Sequence, residues 1–230
     1  AALKNSALPG PFSVVVYGTP AEETVSGKVT MIKEGFFKDI DLALMMHGSG
    51  ETTTDIKSMA VSKFKVIYHG KGTHAALKPE LGRSSLDAMM LACHGVECLR
   101  EHVKDDTRIH YNLMDCGGTA ANTVPSYTRA QFYVRSYNTQ YLQTVIARFV
   151  KILEGAAMMT ETTLEYEREK DLDAKIPAMK LNELIQANAR AVNAPVIRPF
   201  REKTGSTDLG NVMQLMPGSC IRVAFVPEGS

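Results

Sequence analysis

Between residues 60 and 169 the hydrophobic pattern switches period four times, in the order strand, helix, strand, strand, helix, strand. That order constrains the fold more than any other feature of the chain. Val61 to His69 contains the alternating run Lys63-Phe64-Lys65-Val66-Ile67-Tyr68, which suits a sheet covered by helices on one face and wet on the other. Ser84-Ser85-Leu86-Asp87 resembles a capping box and opens a helix expected to reach Val103. Leu86, Met90, Cys93, Val96 and Leu99 supply its apolar stripe. Strands follow over Arg108 to Cys116 and Arg129 to Ser136. A second helix over Thr139 to Met159 carries Leu142, Val145, Ile146, Phe149, Ile152 and Leu153, and a last strand covers Thr163 to Glu169. The βαββαβ order is the ferredoxin-like split βαβ arrangement.

The flanking segments read as an α/β domain into which this module is inserted. Val14-Val15-Val16-Tyr17 predicts a buried strand that ends on Gly18-Thr19-Pro20, with Glu22-Glu23 directly after it. A helix over Ser26 to Glu34, stopped by Gly35, leads to a second strand from Ile40 to Met46 that ends on His47-Gly48. Such a βαβ unit makes the two strands parallel and sets Glu22, Glu23 and His47 on one sheet edge, where open α/β sheets bind ligands. Two adjacent carboxylates repel unless a cation or a shared proton relieves them. Carboxylate plus imidazole is a ligand set suited to zinc. The same pair at a first helical turn also complements the helix dipole and needs no function. Gly48 to Met59 reads as a polar, Thr-rich linker. After Asp171 come a helix from Ala178 to Val192 (with Met179, Leu181, Leu184, Ile185 and Ala189), the loop Gly205-Ser206-Thr207-Asp208, and a strand from Cys220 to Val226. The expected division is 1–57 with 171–230 as a partial catalytic α/β domain, and 58–170 as a ferredoxin-like lid and dimerisation domain.

Composition narrows the function. A net charge of +1 leaves no electrostatic footprint for nucleic acid or an anionic membrane, and no strand has the aromatic and basic pattern of an RNA-binding sheet. No apolar run is long enough to span a bilayer, and no secretory signal opens the chain. Cys93, Cys98, Cys116 and Cys220 lack CxxC spacing and read as free thiols of a cytoplasmic protein. The chain starts Ala1-Ala2-Leu3 and ends Pro227-Glu228-Gly229-Ser230, as an internal piece of a longer polypeptide would.

Three further motifs sit in the insert. Gly70-Lys71-Gly72-Thr73-His74-Ala75-Ala76 presents His74 at the end of a glycine-rich loop; by itself this is as well explained as a turn bearing a surface histidine. Gly117-Gly118-Thr119-Ala120-Ala121-Asn122-Thr123-Val124-Pro125 reads as a hairpin connection with a stiff exit. Arg135 is either a cross-strand charge partner or a fork for a carboxylate. His94, His102 and His110 fall in helix or strand patterns and receive no role.

Taken together and in order, TPAEE, His47, GKGTHAA, GGTAANTVP, the Arg135 strand and GSTD resemble the dinuclear zinc amidohydrolase family. This is the family of aminoacylase, carboxypeptidase G, succinyl-diaminopimelate desuccinylase and the plant auxin-conjugate hydrolases. The likeness covers the whole chain, and LMMHG with GSTDLGNV is most similar to the B-type branch of the aminobenzoyl-glutamate hydrolase subunits. The resemblance implies Glu22 as general base, Glu23 and His47 as metal ligands, and His74 as an oxyanion donor reaching a partner's site. It also implies Asn122 and Arg135 as substrate contacts, with Arg135 gripping a carboxylate. Two Zn2+ in each protomer, with Mn2+ or Co2+ as substitutes, and a homodimer formed through the lid come with it. So does lid closure hinged at Ser49–Ser58 and Asp171–Pro177. The remaining metal ligands are expected from segments before residue 1 and after residue 230. The implied reaction is cleavage of an amide to release a carboxylate-bearing amine such as an amino acid. A different class of reading stands beside it: a non-catalytic dimerisation or binding module.

Overall fold

The structure is a computed structural model that describes residues 10–227. Its elements are α1 (Gly27–Lys33), β1 (Ala43–Ser49), β2 (Thr53–Ser58), β3 (Ala60–His69), α2 (Ser85–Arg100), β4 (Arg108–Asp115) and β5 (Tyr127–Ser136). They continue with α3 (Thr139–Thr160), β6 (Thr163–Leu172), α4 (Met179–Ala191), β7 (Arg201–Thr204), α5 (Leu209–Val212) and β8 (Gly218–Ala224).

The strands form two four-stranded sheets. One has the order β4-β5-β3-β6 and is antiparallel throughout. With α2 and α3 as its two crossovers this is the ferredoxin-like arrangement. Both helices are capped as their sequences require: Ser84 Oγ accepts from the Asp87 N–H at 3.1 Å, and Asn138 Oδ1 from the Tyr141 N–H at 2.8 Å. Every second residue of β5 is buried, and the inward set Ala130, Phe132 and Val134 meets Phe64, Val66 and Tyr68 of β3. Phe149 of α3 lies at 5.2 Å from both the Phe64 and Phe132 rings and is wholly buried. Its truncation to Ala removes three-way aromatic contact and leaves a cavity, so Phe149→Ala is expected to cost about 3–5 kcal/mol in equilibrium urea unfolding. The fully buried Tyr68 hydroxyl is satisfied: it donates to the Leu153 carbonyl at 2.9 Å.

The other sheet is mixed, in the order β1-β8-β2-β7, with β1 parallel to β8, β8 antiparallel to β2, and β2 parallel to β7. A smaller apolar cluster of Phe37, Leu209, Val212, Met213, Met216 and Cys220 lies against it.

Four expectations are corrected. The run Val14 to Tyr17 belongs to no ladder; Val14, Val15 and Val16 face water, Val16 at 90% exposure, while Tyr17 packs on Phe37 and donates to the Phe36 carbonyl. Strands need cross-strand hydrogen bonds, and here a cleft of about 850 Å3, lined by Val15 and Leu44 among others, lies between the run and the edge strand β1. The expected βαβ unit is therefore not closed. The polar stretch expected as a linker, and as one hinge, contains β2, an inner strand whose Thr53, Thr54 and Asp55 are buried. β-branched threonines suit a pleated strand, and each hydroxyl here is bonded: Thr52 to Pro195, Thr53 to Pro199, Thr54 to Gln186. In α2 the buried stripe is Ser85, Ala88, Met89, Ala92, Val96 and Leu99, while Met90 is exposed; small residues let the helix approach the sheet closely. In α4 the inward positions are Asn182, Gln186 and Ala189 rather than the leucines, because Ser219 and Thr54 beneath them offer hydroxyls to bond.

A buried ion pair joins the two crossings between the sheets. Asp55 on β2 accepts from Lys175 Nζ at 3.1 Å and from Arg222 Nε at 2.9 Å, and Lys175 belongs to the segment that returns from β6. Only Met59 separates β2 from β3.

Candidate active site

Glu22 and Glu23 sit on a tight turn rather than at a strand end. The Ala21 carbonyl accepts from the N–H groups of Thr24, Val25 and Ser26, and Ala21 and Ser26 both have positive φ. Gly27 then starts α1 with no room for a side chain, since a Cβ would run into the Pro20 carbonyl. Lys170 of β6 donates to the Glu22 main-chain carbonyl at 3.0 Å and pins the turn to the ferredoxin-like sheet.

The turn faces a cleft of about 340 Å3 against the ferredoxin-like sheet, lined by Glu22, Glu23, Lys63, Tyr133, Arg135 and Ser206 among others. Three acids and three cations meet there. Lys63 pairs with Glu169 at 3.0 Å and Lys170 is engaged by the Glu22 carbonyl. Among the described residues Arg135 contacts neutral groups: Ser206 Oγ and His110 Nε2, each at 3.3 Å, and the Tyr133 ring at 5.5 Å. Half-burial lowers its pKa from the ordinary guanidinium value by penalising the charge. Among the described residues this half-buried guanidinium has no carboxylate partner, and its planar fork is suited to one.

Ser206 reaches the cleft because Asp208 anchors its loop. Asp208 is fully buried and accepts from Lys28 Nζ at 2.7 Å and from the Lys28 N–H at 3.1 Å. The GSTD motif thus ties α1, and the carboxylate turn before it, to the loop that meets Arg135.

His47, His74 and Asn122 are not among the residues that line this cleft. His47 is on β1 beside Arg222, its register partner on β8. Its Nδ1 is 2.6 Å from the Gly48 carbonyl and 3.3 Å from Arg222 Nη1. The shorter contact requires an N–H donor at Nδ1, which leaves the lone pair on Nε2. His74 has the opposite tautomer: Nδ1 accepts from the Ala76 N–H at 3.2 Å, so Nε2 carries the proton and donates. His74 bridges to Thr123, and the Ala75 N–H bonds the Asn122 carbonyl at 2.9 Å, which unites the GKGTHAA and GGTAANTVP loops. They follow and precede the β3–β5 end marked by the pair His69–Tyr127, whereas Arg135 pairs with Val61 at the opposite end. From Tyr127 to Arg135 an extended strand covers roughly 27 Å. Within one chain, His74 and Asn122 therefore do not converge with Arg135.

Sequence reasoning missed Tyr133, Ser206 and Lys170 in the cleft. GSTD carried a signal for Ser206, but Lys170 is one charge among many in Glu165-Tyr166-Glu167-Arg168-Glu169-Lys170. The donor set fits zinc in kind, with a carboxylate at Glu23 and an imidazole at His47. No three His, Cys, Asp or Glu side chains gather into a metal-sized cluster among the described residues.

Residues 58–159 match the family model described as peptidase dimerisation domain, the M20 dimerisation domain. A mouse Xaa-Arg dipeptidase is 34% identical over 95% of the chain and 51% of its own length. The chain belongs to the M20 peptidase family. The B-type p-aminobenzoyl-glutamate hydrolase subunit of Escherichia coli is 38% identical over 76% of the chain and 37% of its own length. In fold, this M20 chain is similar to the crystal structure of an aminobenzoyl-glutamate utilization protein from Klebsiella pneumoniae, with a TM-score of 0.68 and 24% identity. That likeness covers 84% of the chain and 52% of the other protein. The chain spans about half the length, or less, of these M20 relatives. None of its described helices is long and apolar enough to cross a membrane.

Proposed function

We propose that the full-length protein is a metal-dependent amidohydrolase or peptidase that releases a carboxylate-bearing amine, working as a homodimer. The observation that carries this reading is the cleft that Glu22 and Glu23 share with Arg135, a cation with no carboxylate partner among the described residues. The two curated relatives support the substrate class. Aminobenzoyl-glutamate and an Xaa-Arg dipeptide each hold an amide bond next to a free carboxylate.

In this reading Arg135 grips the substrate carboxylate, with Tyr133 and Ser206 lining the same wall, and so sets the amide opposite Glu22. Glu22 takes a proton from the attacking water and returns it to the departing nitrogen. Glu23 and the Nε2 of His47 would hold zinc, with further ligands outside the described residues, and the metal would supply Lewis-acid activation of water and carbonyl. His74 and Asn122 belong to the site of a second copy, since the length of β5 separates them from Arg135 in their own chain. There the Nε2–H of His74 meets the oxyanion that forms on the carbonyl, a contribution of about 3–4 kcal/mol for one well-placed donor.

Mixing of protomers tests the shared site. Neither His74→Ala nor Glu22→Gln homodimers should turn over substrate at the wild-type rate. Exchange between them should restore up to about one quarter of wild-type activity, because half the dimers are mixed and each mixed dimer rebuilds one intact site out of two. Absence of recovery, with exchange demonstrated by mass spectrometry, would rule out a trans role for His74.

A further inference from the structure

Arg135 is held from three directions. Ser206 Oγ accepts from its Nη1, the Tyr133 ring lies under its guanidinium, and His110 on the neighbouring strand β4 accepts from its Nε at 3.3 Å. The His110 ring also stands edge-on to Tyr133, with centroids 5.5 Å apart and planes at 88°. His110 does not line the cleft; it reaches Arg135 from outside it.

The geometry points to His110 as a positioning residue, whose neutral imidazole holds the Arg135 guanidinium in the orientation that receives the substrate carboxylate. With Nε turned to His110 and one Nη1 proton given to Ser206, rotation about the terminal bonds of Arg135 is fixed. The remaining Nη donors stay available as a fork. The contact demands a lone pair on Nε2, hence the Nδ1–H tautomer; an imidazolium has none to offer. The charged and titratable groups around His110 are Arg135 and Tyr133 on β5, Arg100 on α2 and Arg108 two residues back on β4. Burial first, then Arg135 and Arg100, pushes the His110 pKa below the ordinary imidazole value, which keeps the ring neutral near pH 7. As pH falls through that pKa, the acceptor is lost and a second cation is placed against Arg135. Substrate capture then weakens.

This inference rests on the reading of Arg135 as the carboxylate clamp, and the experiment separates the two. Initial rates of the full-length protein would be measured with p-aminobenzoyl-glutamate and with an Xaa-Arg dipeptide between pH 5 and 8. In wild type KM should rise on the acid side more steeply than kcat falls. His110→Leu should raise KM about tenfold across the range with little change in kcat, as expected for one lost hydrogen bond to a charged group. His110→Gln, whose amide oxygen accepts from Nε and does not titrate, should recover most of that loss and flatten the acid rise. A wild-type KM in His110→Leu, or an acid rise that survives in His110→Gln, would overturn the role of His110. Arg135→Met is the control: if it leaves KM unchanged, the clamp reading itself fails. An NMR titration of the His110 ring protons needs no turnover. The ring should titrate below the usual imidazole range in wild type and move up in Arg135→Met; identical titration in both proteins would also overturn the role of His110.

Discussion

Glu22→Gln in the full-length protein is expected to lower kcat by about 10²–10⁴-fold, the range for loss of a positioned general base, with KM within a few-fold of wild type. The substitution keeps the shape of the side chain and removes its ability to take a proton. It also leaves the turn intact, because Lys170 holds Glu22 through the main-chain carbonyl rather than the carboxylate. Bound zinc, measured on the purified protein by plasma emission, should stay at the wild-type level. Loss of zinc together with activity would make Glu22 a ligand and reverse the roles of Glu22 and Glu23. A full-length wild-type protein that binds no metal would favour the non-catalytic module instead.

Asp55→Ala is expected to cost about 3–5 kcal/mol in urea unfolding, as much as truncating the core aromatic Phe149. The carboxylate and its Lys175 partner are buried almost completely, and the same carboxylate takes the Arg222 guanidinium at 2.9 and 3.1 Å. Truncation strands one fully buried ammonium and one mostly buried guanidinium, and unpaired buried charge is what makes such losses large. The double change Asp55→Val with Lys175→Met should cost less than Asp55→Ala alone, since it removes the stranded ammonium as well. A single-variant loss under about 1 kcal/mol would be the value of an exposed pair and would contradict the burial. Because Asp55 lies on β2 and Lys175 on the return from β6, the same variant should loosen the connection between the two sheets. Faster hydrogen exchange in β2 and β8 would report it.

The ferredoxin-like unit is legible in the sequence because its signals are local. Period-two strands, two long helices with capping residues, and glycine-rich connections each specify themselves within a dozen residues, and their order leaves few topologies. The other sheet is legible only in part. β2 reads as a linker because Thr52-Thr53-Thr54-Asp55 is polar, and nothing along the chain shows that hydroxyl and carboxylate partners arrive from residues 175–222. β7 is four residues long and mostly charged, too short to show a period. The run Val14 to Tyr17 misleads the other way: a strong β pattern without a neighbouring strand makes no ladder.

For the carboxylate turn and Arg135, the chain alone determined which groups were present: two adjacent acids after a Thr-Pro stop, and an arginine near the end of a strand. Residue chemistry and local periodicity settle that much, because each depends on near neighbours in sequence. The tertiary structure alone decided that these groups share one cleft, brought together across more than a hundred residues by the Lys170 contact to the Glu22 carbonyl and the Arg135 contact to Ser206. It likewise set His74 and Asn122 at the far end of β5. Distance through space is fixed by how strands register and sheets pack, and sequence spacing does not encode it.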